Sequence, residues 1–243
     1  DIDGYGGVDT VVLTCRHSDY TITSDGYSGF WLEDKRTSAG NDGRDHLTGV
    51  EYLAFSNATV GAKLWTSVIA SRAADLLVGG DGVDSLSGGG GDDMLVGNGG
   101  NDRLDGGGGA DWMLGGYADD TYIVDNIGDV VDETGGSGND TVNSSVDFIL
   151  PGGVENLVLT RAAAIGLGNL SSNQITGNAV ANTLWGLAGG DLLIGAGGND
   201  TLYGGEGVDT LDGGSGHDSL FGGSDVDVLS GGAGNDLLDG GAG

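Results

Sequence analysis

The sequence predicts an all-β fold: a parallel β-roll, that is, a right-handed β-helix-like solenoid, in two repeat blocks with β-rich spacers. Three observations predict it. A nine-residue phrase, Gly-Gly-x-Gly-x-Asp-x-Leu-x, recurs from Gly186 onward as GLAGGDLLI, GAGGNDTLY, GGEGVDTLD, GGSGHDSLF, GGSDVDVLS and GGAGNDLLD, and a fixed period marks a repeat architecture. Glycine fills 54 of 243 positions and favours places one, two and four, where the chain needs positive φ or close backbone approach. Leucine at place eight keeps phase with aspartate at place six, which a flexible Gly-rich linker has no reason to do.

Within each phrase the first six residues read as a tight turn. The last three form a minimal strand with one side chain on one face and two on the other. Two phrases make one coil, so each phrase lies beside the next but one. Successive coils stack as parallel strands ~4.8 Å apart, and the leucines form inward ladders that make a thin core.

In chain order, residues 1–69 read as a β-rich spacer or cap. Strands are expected at TVVL, DYTIT, GFWLED and VEYLAF, with degraded phrases around Asp9 and Asp45. Residues 70–123 form a first block, with Asp75, Asp84, Asp93, Asp102, Asp111 and Asp120 at place six and Leu77, Leu86, Leu95, Leu104, Met113 and Tyr122 at place eight. Asp75 lacks preceding glycines and Asp120 sits in a looser turn, so both read as weaker ends. Residues 124–167 form a second β-rich spacer that breaks phase. Its phrase GGSGNDTVN starts at Gly135, later than the period counted from Gly115 would place it. VENLVLT echoes VEYLAF, and Pro151 lies between strands, where it removes no interior ladder bond. Residues 168–243 form the second block. Its first two phrases carry Asn173 and Asn182 at place six, and Asp191, Asp200, Asp209, Asp218, Asp227 and Asp236 follow.

The 37 acidic and 8 basic residues give a formal charge of −29, which excludes nucleic acid and an anionic membrane as direct partners. No apolar run is long enough for a membrane span. The single cysteine, Cys15, rules out an internal disulfide, so a staple would have to be metal. Stacking lines up Asp191, Asp209 and Asp227 on one edge and Asp200, Asp218 and Asp236 on the other. Unit charges ~5 Å apart repel by roughly 1–3 kcal/mol per pair, so the stack calls for a cation. Ca2+ accepts about six to eight oxygens in flexible geometry, backbone carbonyls included, whereas Mg2+ demands a stricter octahedron.

The blocks resemble the RTX, or haemolysin-type, calcium-binding repeats, most specifically over 79–123 and 186–243. The resemblance implies several Ca2+ ions between turns one coil apart, held by place-six aspartates and turn carbonyls. The implied pairs are Asp84 with Asp102, Asp102 with Asp120, Asp93 with Asp111, Asp191 with Asp209, Asp209 with Asp227, Asp200 with Asp218, and Asp218 with Asp236. Asp75 with Asp93 is the weaker pair. Carbonyls would come from glycines such as Gly79, Gly88, Gly97, Gly204 and Gly213. Leu187, Ala188, Ala196 and Asp225 depart from the pattern, and the uncharged Asn173 and Asn182 point to amide hydrogen bonding in place of metal. The resemblance further implies the non-catalytic, monomeric part of a type I secreted protein, found outside the cell or at its surface. The chain opens on DIDGYGG and stops mid-phrase at GGAG, as expected for a piece of a longer protein, so a missing signal peptide carries no information.

No catalytic constellation is expected. His17, His46 and His217 are scattered, and none lies in an HExxH or beside a GxSxG motif. Asp92–Asp93 and Asp119–Asp120 are periodic, which points to turn or cation ligands rather than paired acids. The glycine-rich turns would repel phosphate through the acidic field. Trp31, Trp65, Trp112 and Trp185 are dispersed, which favours packing over sugar stacking. The alternatives are a polysaccharide- or surface-binding module, or an accessory domain of a secreted enzyme whose catalytic domain lies elsewhere.

Overall fold

The computed structural model describes residues 74–243 in full and, of residues 1–73, the backbone of eight short strands. Three strands expected in the first spacer are present as Thr10–Val12, Tyr20–Ser24 and Gly29–Asp34. Tyr20–Ser24 runs antiparallel to Gly29–Asp34, which in turn pairs antiparallel with Arg44–Thr48. The expected VEYLAF strand is Tyr52–Ala54. The expectations for Asp9, Cys15, His17, Trp31, Asp45, His46 and Trp65 lie outside the described side chains.

From Val68–Ile69 onward the chain is a parallel β-solenoid of about nine turns, with no helix among the described residues. One wall is a continuous ten-stranded sheet. It runs Val68–Ile69, Ser85–Ser87, Arg103–Asp105, Thr121–Val124, Thr141–Ser144, Asn156–Leu159, Gln174–Thr176, Leu192–Ile194, Thr210–Asp212, Val228–Ser230. The opposite wall is split. A four-stranded sheet, Leu76–Val78, Met94–Gly99, Trp112–Tyr117 and Val130–Val131, is followed by a six-stranded one from Phe148–Ile149 to Leu237–Ala242. The second wall carries longer strands because pairing there continues into the glycines of the next phrase, as in Leu187↔Gly205 and Gly205↔Gly223.

Up to Ser219–Ser224 the strands of the repeat phrases bury the side chain at place eight and leave its flanking neighbours wholly or partly exposed, as in Leu192–Ile194. Leu86, Leu95, Leu104, Met113 and Tyr122 in the first block, and Leu184, Leu193, Leu202, Leu211 and Leu220 in the second, are fully buried. Because side chains alternate with a period of two, equal register along the stack keeps every leucine inside. Leu86↔Leu104 and Leu202↔Leu220 show that register. On the outer face Trp185 stacks on Tyr203 at 5.7 Å and Tyr203 on Phe221 at 5.0 Å, both nearly parallel. The ring faces cover one another, which makes Trp185 an inter-coil packing residue.

Residues 124–167 do not interrupt the ten-stranded wall. Thr121 pairs with Thr141, Thr141 with Asn156, and Asn156 with Gln174. A lengthened coil is thus followed by a shortened one and then by the regular spacing. The phase break is absorbed in the turns and the opposite wall, which ends at Val131 and restarts at Phe148. The residues that replace glycine in the second block keep glycine's backbone: Leu187 has φ 84°, Ala196 φ 73° and Asp225 φ 74°. A left-handed conformation costs an L-residue roughly 1–2 kcal/mol, so the stack imposes this turn even where the sequence does not favour it.

Candidate metal centres

Each turn delivers its place-six aspartate to an edge of the stack. Asp93, Asp102, Asp111, Asp120, Asp191, Asp200, Asp209 and Asp218 are all at most 3% exposed. One carboxylate oxygen is used structurally: the backbone N–H of each aspartate donates to Oδ1 of the aspartate one coil on. Asp84 donates to Asp102 at 2.8 Å, Asp102 to Asp120 at 2.7 Å, Asp191 to Asp209 at 2.8 Å, Asp200 to Asp218 at 2.8 Å and Asp209 to Asp227 at 2.9 Å. In the second column of the first block Asp75 donates to Asp93 at 2.7 Å and Asp93 to Asp111 at 2.8 Å.

The second oxygen is the unusual one. Oδ2 of Asp93, Asp102, Asp111, Asp120, Asp191, Asp200, Asp209, Asp218 and Asp227 receives no hydrogen bond. Burying an ionised oxygen without a donor is costly. Desolvation accordingly pushes Asp93 and Asp102 up to about 7 and Asp111, Asp120, Asp191 and Asp200 up to about 6. The N–H bond to Oδ1 opposes this shift, and neighbouring carboxylates add to it.

Six of these oxygens, on Asp93, Asp102, Asp191, Asp200, Asp209 and Asp218, have a glycine carbonyl beside them. Where a Cβ on Gly186 would stand, Asp191 Oδ2 and the Gly204 carbonyl converge. At Gly195 the pair is Asp200 Oδ2 and the Gly213 carbonyl, at Gly204 it is Asp209 Oδ2 and the Gly222 carbonyl, and at Gly97 it is Asp102 Oδ2 and the Gly115 carbonyl. The first glycine of the phrase is therefore required sterically, since a side chain would fill the gap. Two oxygens converging with no hydrogen between them suit a hard cation.

The other sequence-predicted positions vary. The carbonyls of Gly97, Gly204 and Gly213 each lie beside a carboxylate oxygen one coil back. The Gly79 carbonyl accepts the Asn98 amide at 2.9 Å, and that of Gly88 accepts the Gly90 N–H at 3.2 Å. Asp84 Oδ2 accepts the Gly80 N–H at 2.7 Å. Asp227 and Asp236 are only half buried. The asparagines make the amide bonds expected of them. Asn182 Nδ2 donates to the Ala163 carbonyl at 2.9 Å, and Asn173 Nδ2 to the carbonyls of Val154 and Glu155 at 3.3 Å. Their Oδ1 atoms accept the N–H groups of Asn178 and Asn169 at 2.8 Å.

Place five serves the turns. The exposed His217 donates its N–H to Asn199 and accepts that of Asn235 on Nδ1, both at 2.9 Å. Asp92 accepts the Ala110 N–H and Asp119 that of Asn139. The edge also holds acids outside the expected set. Asp111 N–H donates to Asp129 Oδ1 at 3.1 Å, Asp120 N–H to Asp140 Oδ1 at 2.7 Å, and Asp140 N–H to Glu155 Oε2 at 2.9 Å. The phrase GGSGNDTVN carried the signal for Asp140, which its longer offset obscured.

No curated protein matches the chain. The stretches 69–104, 96–126, 167–202, 176–211, 185–220 and 212–243 match the profile of the RTX calcium-binding nonapeptide repeat, a unit of four copies, and together cover more than half of the sequence. These stretches include the turns whose carboxylate and carbonyl oxygens converge, and the chain therefore belongs to the family of RTX calcium-binding nonapeptide repeats.

Proposed function

We propose that the chain is a non-catalytic calcium-binding module of a larger type I secreted protein, and that it folds when it meets Ca2+ outside the cell. One observation carries this reading: the rows of buried carboxylate oxygens that lack any hydrogen-bond donor and face a carbonyl of the next coil. The ions would sit between Asp84 and Asp102, Asp102 and Asp120, Asp93 and Asp111, Asp191 and Asp209, Asp209 and Asp227, Asp200 and Asp218, and Asp218 and Asp236, with Asp75 and Asp93 as a weaker pair. Glycine carbonyls complete the shell. Such sites supply folding free energy, because the unfolded chain has no preformed site.

The test compares two variants by calcium titration. Asp209→Asn keeps an oxygen for the Asp191 N–H but removes the charge. It belongs to two pairs, so it should bind two fewer ions at saturation. Asn182→Ala loses its bonds to Ala163 and Asn178, so it should be less stable yet bind as many ions as the parent. Equal ion counts in Asp209→Asn and the parent would overturn the pairing.

A further inference from the structure

The phase break builds something the repeat does not. Between the turn ending at Asp120 and the turn ending at Asp140 the coil carries two extra residues, Glu133 and Thr134, which account for its longer offset. Glu133 folds inward and is 7% exposed, while Asp120 and Asp140 are 1% and 0% exposed. Carboxylate oxygens of the three residues lie within 4.8 Å of one another. Each of them retains one oxygen with no hydrogen-bond donor: Asp120 Oδ2, Glu133 Oε2 and Asp140 Oδ2.

The surroundings hold these oxygens in place. Tyr122 stands at a leucine position and is fully buried. Its hydroxyl donates to Glu133 Oε1 and accepts the Gly115 N–H at 2.8 Å. Glu133 is thus fixed by one oxygen while the other is free to bind. The second oxygen and the Gly116 carbonyl occupy the space a Cβ on Gly136 would need. Three buried carboxylates, with no Lys or Arg among the described residues hydrogen-bonded or ion-paired to them, form an oxygen-only donor set. Charge count is one of the things that tune the affinity of calcium sites, and this set exceeds the two-aspartate turns in it.

We propose that Asp120, Glu133 and Asp140 form a three-carboxylate Ca2+ site, the tightest of the chain, with Tyr122 as the residue that positions Glu133. The proposal rests on the calcium reading above. It places the strongest ion in the middle of the continuous sheet, where coils on both sides can stack onto it.

The experiment is a calcium titration of the full chain against a competing chelator dye. It is run on the parent, on Glu133→Gln, which keeps an oxygen for the Tyr122 hydroxyl, and on a variant lacking Glu133 and Thr134, which restores the regular coil length. The parent should show one ion tighter than the rest. In both variants that ion should weaken by about tenfold or more, with the remaining ions unchanged. If Glu133 only anchors Tyr122, Glu133→Gln will reproduce the parent isotherm and the proposal falls. Should Glu133→Gln fail to fold at saturating calcium, the deletion variant decides on the same criterion. A parent that binds no calcium would overturn the calcium reading itself, an outcome distinct from a parent that binds and a variant that matches it.

Discussion

Moved from millimolar calcium into excess EGTA, the chain should lose most of its far-UV β signal and its cooperative thermal transition, and regain both when calcium is restored. In the folded chain the aspartate columns hold buried oxygens that receive no hydrogen bond, and without a cation each adjacent pair repels by roughly 1–3 kcal/mol. Against this the leucine ladders form a core only one side chain deep per strand. Extracellular calcium modules bind with Kd of roughly 10⁻⁴ to 10⁻³ M. At a calcium concentration ten times Kd, each ion bound only by the folded state contributes about 1.4 kcal/mol. Several ions together match the roughly 5–15 kcal/mol of net stability that domains possess. On the proposed reading, calcium decides between folded and unfolded. A sub-micromolar cytosol would leave the chain unfolded, and the outside would fold it. A spectrum unchanged by excess EGTA would contradict this.

Acid should partly replace calcium. The ordinary aspartate value is 3.8, whereas the folded chain holds Asp93 and Asp102 at about 7 and Asp111, Asp120, Asp191 and Asp200 at about 6, chiefly because burial penalises their charge. A carboxyl whose folded value lies above its unfolded one binds its proton more tightly when folded, so stability falls as pH rises between the two values. Calcium-free chain should therefore gain stability as pH drops from about 7 towards 4, and have its full electrostatic penalty above 7. The calcium-loaded chain should show the reverse through the upper part of this range, because protons compete with the ion for the same oxygens. Thermal melts in calcium-free and calcium-containing buffers at about pH 5 and about pH 7.5 check both signs. A calcium-free chain that melts lower at pH 5 than at pH 7.5 would show that the buried oxygens do not carry the penalty assigned to them.

The parts of this molecule that repeat are visible in its sequence. Leu193, Leu202, Leu211 and Leu220 recur at one interval, and the structure buries all four completely. The aspartates recur in phase with them and form two columns for the same reason, since a constant coil length carries any place in the phrase into register with itself. Phase is also where legibility ends. A lengthened coil followed by a shortened one looks like an interruption, yet Thr121, Thr141 and Asn156 sit side by side. A turn can lengthen or shorten without moving the strand after it. Glu133 belongs to no repeat, so nothing in its neighbourhood marked it as an inward-facing acid, and Asp120, which read as a weak end, sits with Glu133 and Asp140 in a group of three carboxylates. Leu187 and Ala196 read as defects in the turn, and the structure holds both in glycine's conformation. That outcome depends on the coils above and below, which local sequence does not encode. The division of labour between the two oxygens of each aspartate is likewise a property of the stacked coils.

Calcium is proposed to fill the gaps between aspartate turns and to leave the asparagine turns to their amides. The most direct measurement is anomalous scattering from crystals of the full chain grown in calcium. It should place ions between Asp191 Oδ2 and the Gly204 carbonyl, between Asp200 Oδ2 and the Gly213 carbonyl, and at the matching turns of the first block, with no ion between the Asn173 or Asn182 side-chain amide and the carbonyls it bonds. Turns of Asp191 and Asp200 without an anomalous peak, or ions displacing the amides of Asn173 and Asn182 from their carbonyls, would contradict it.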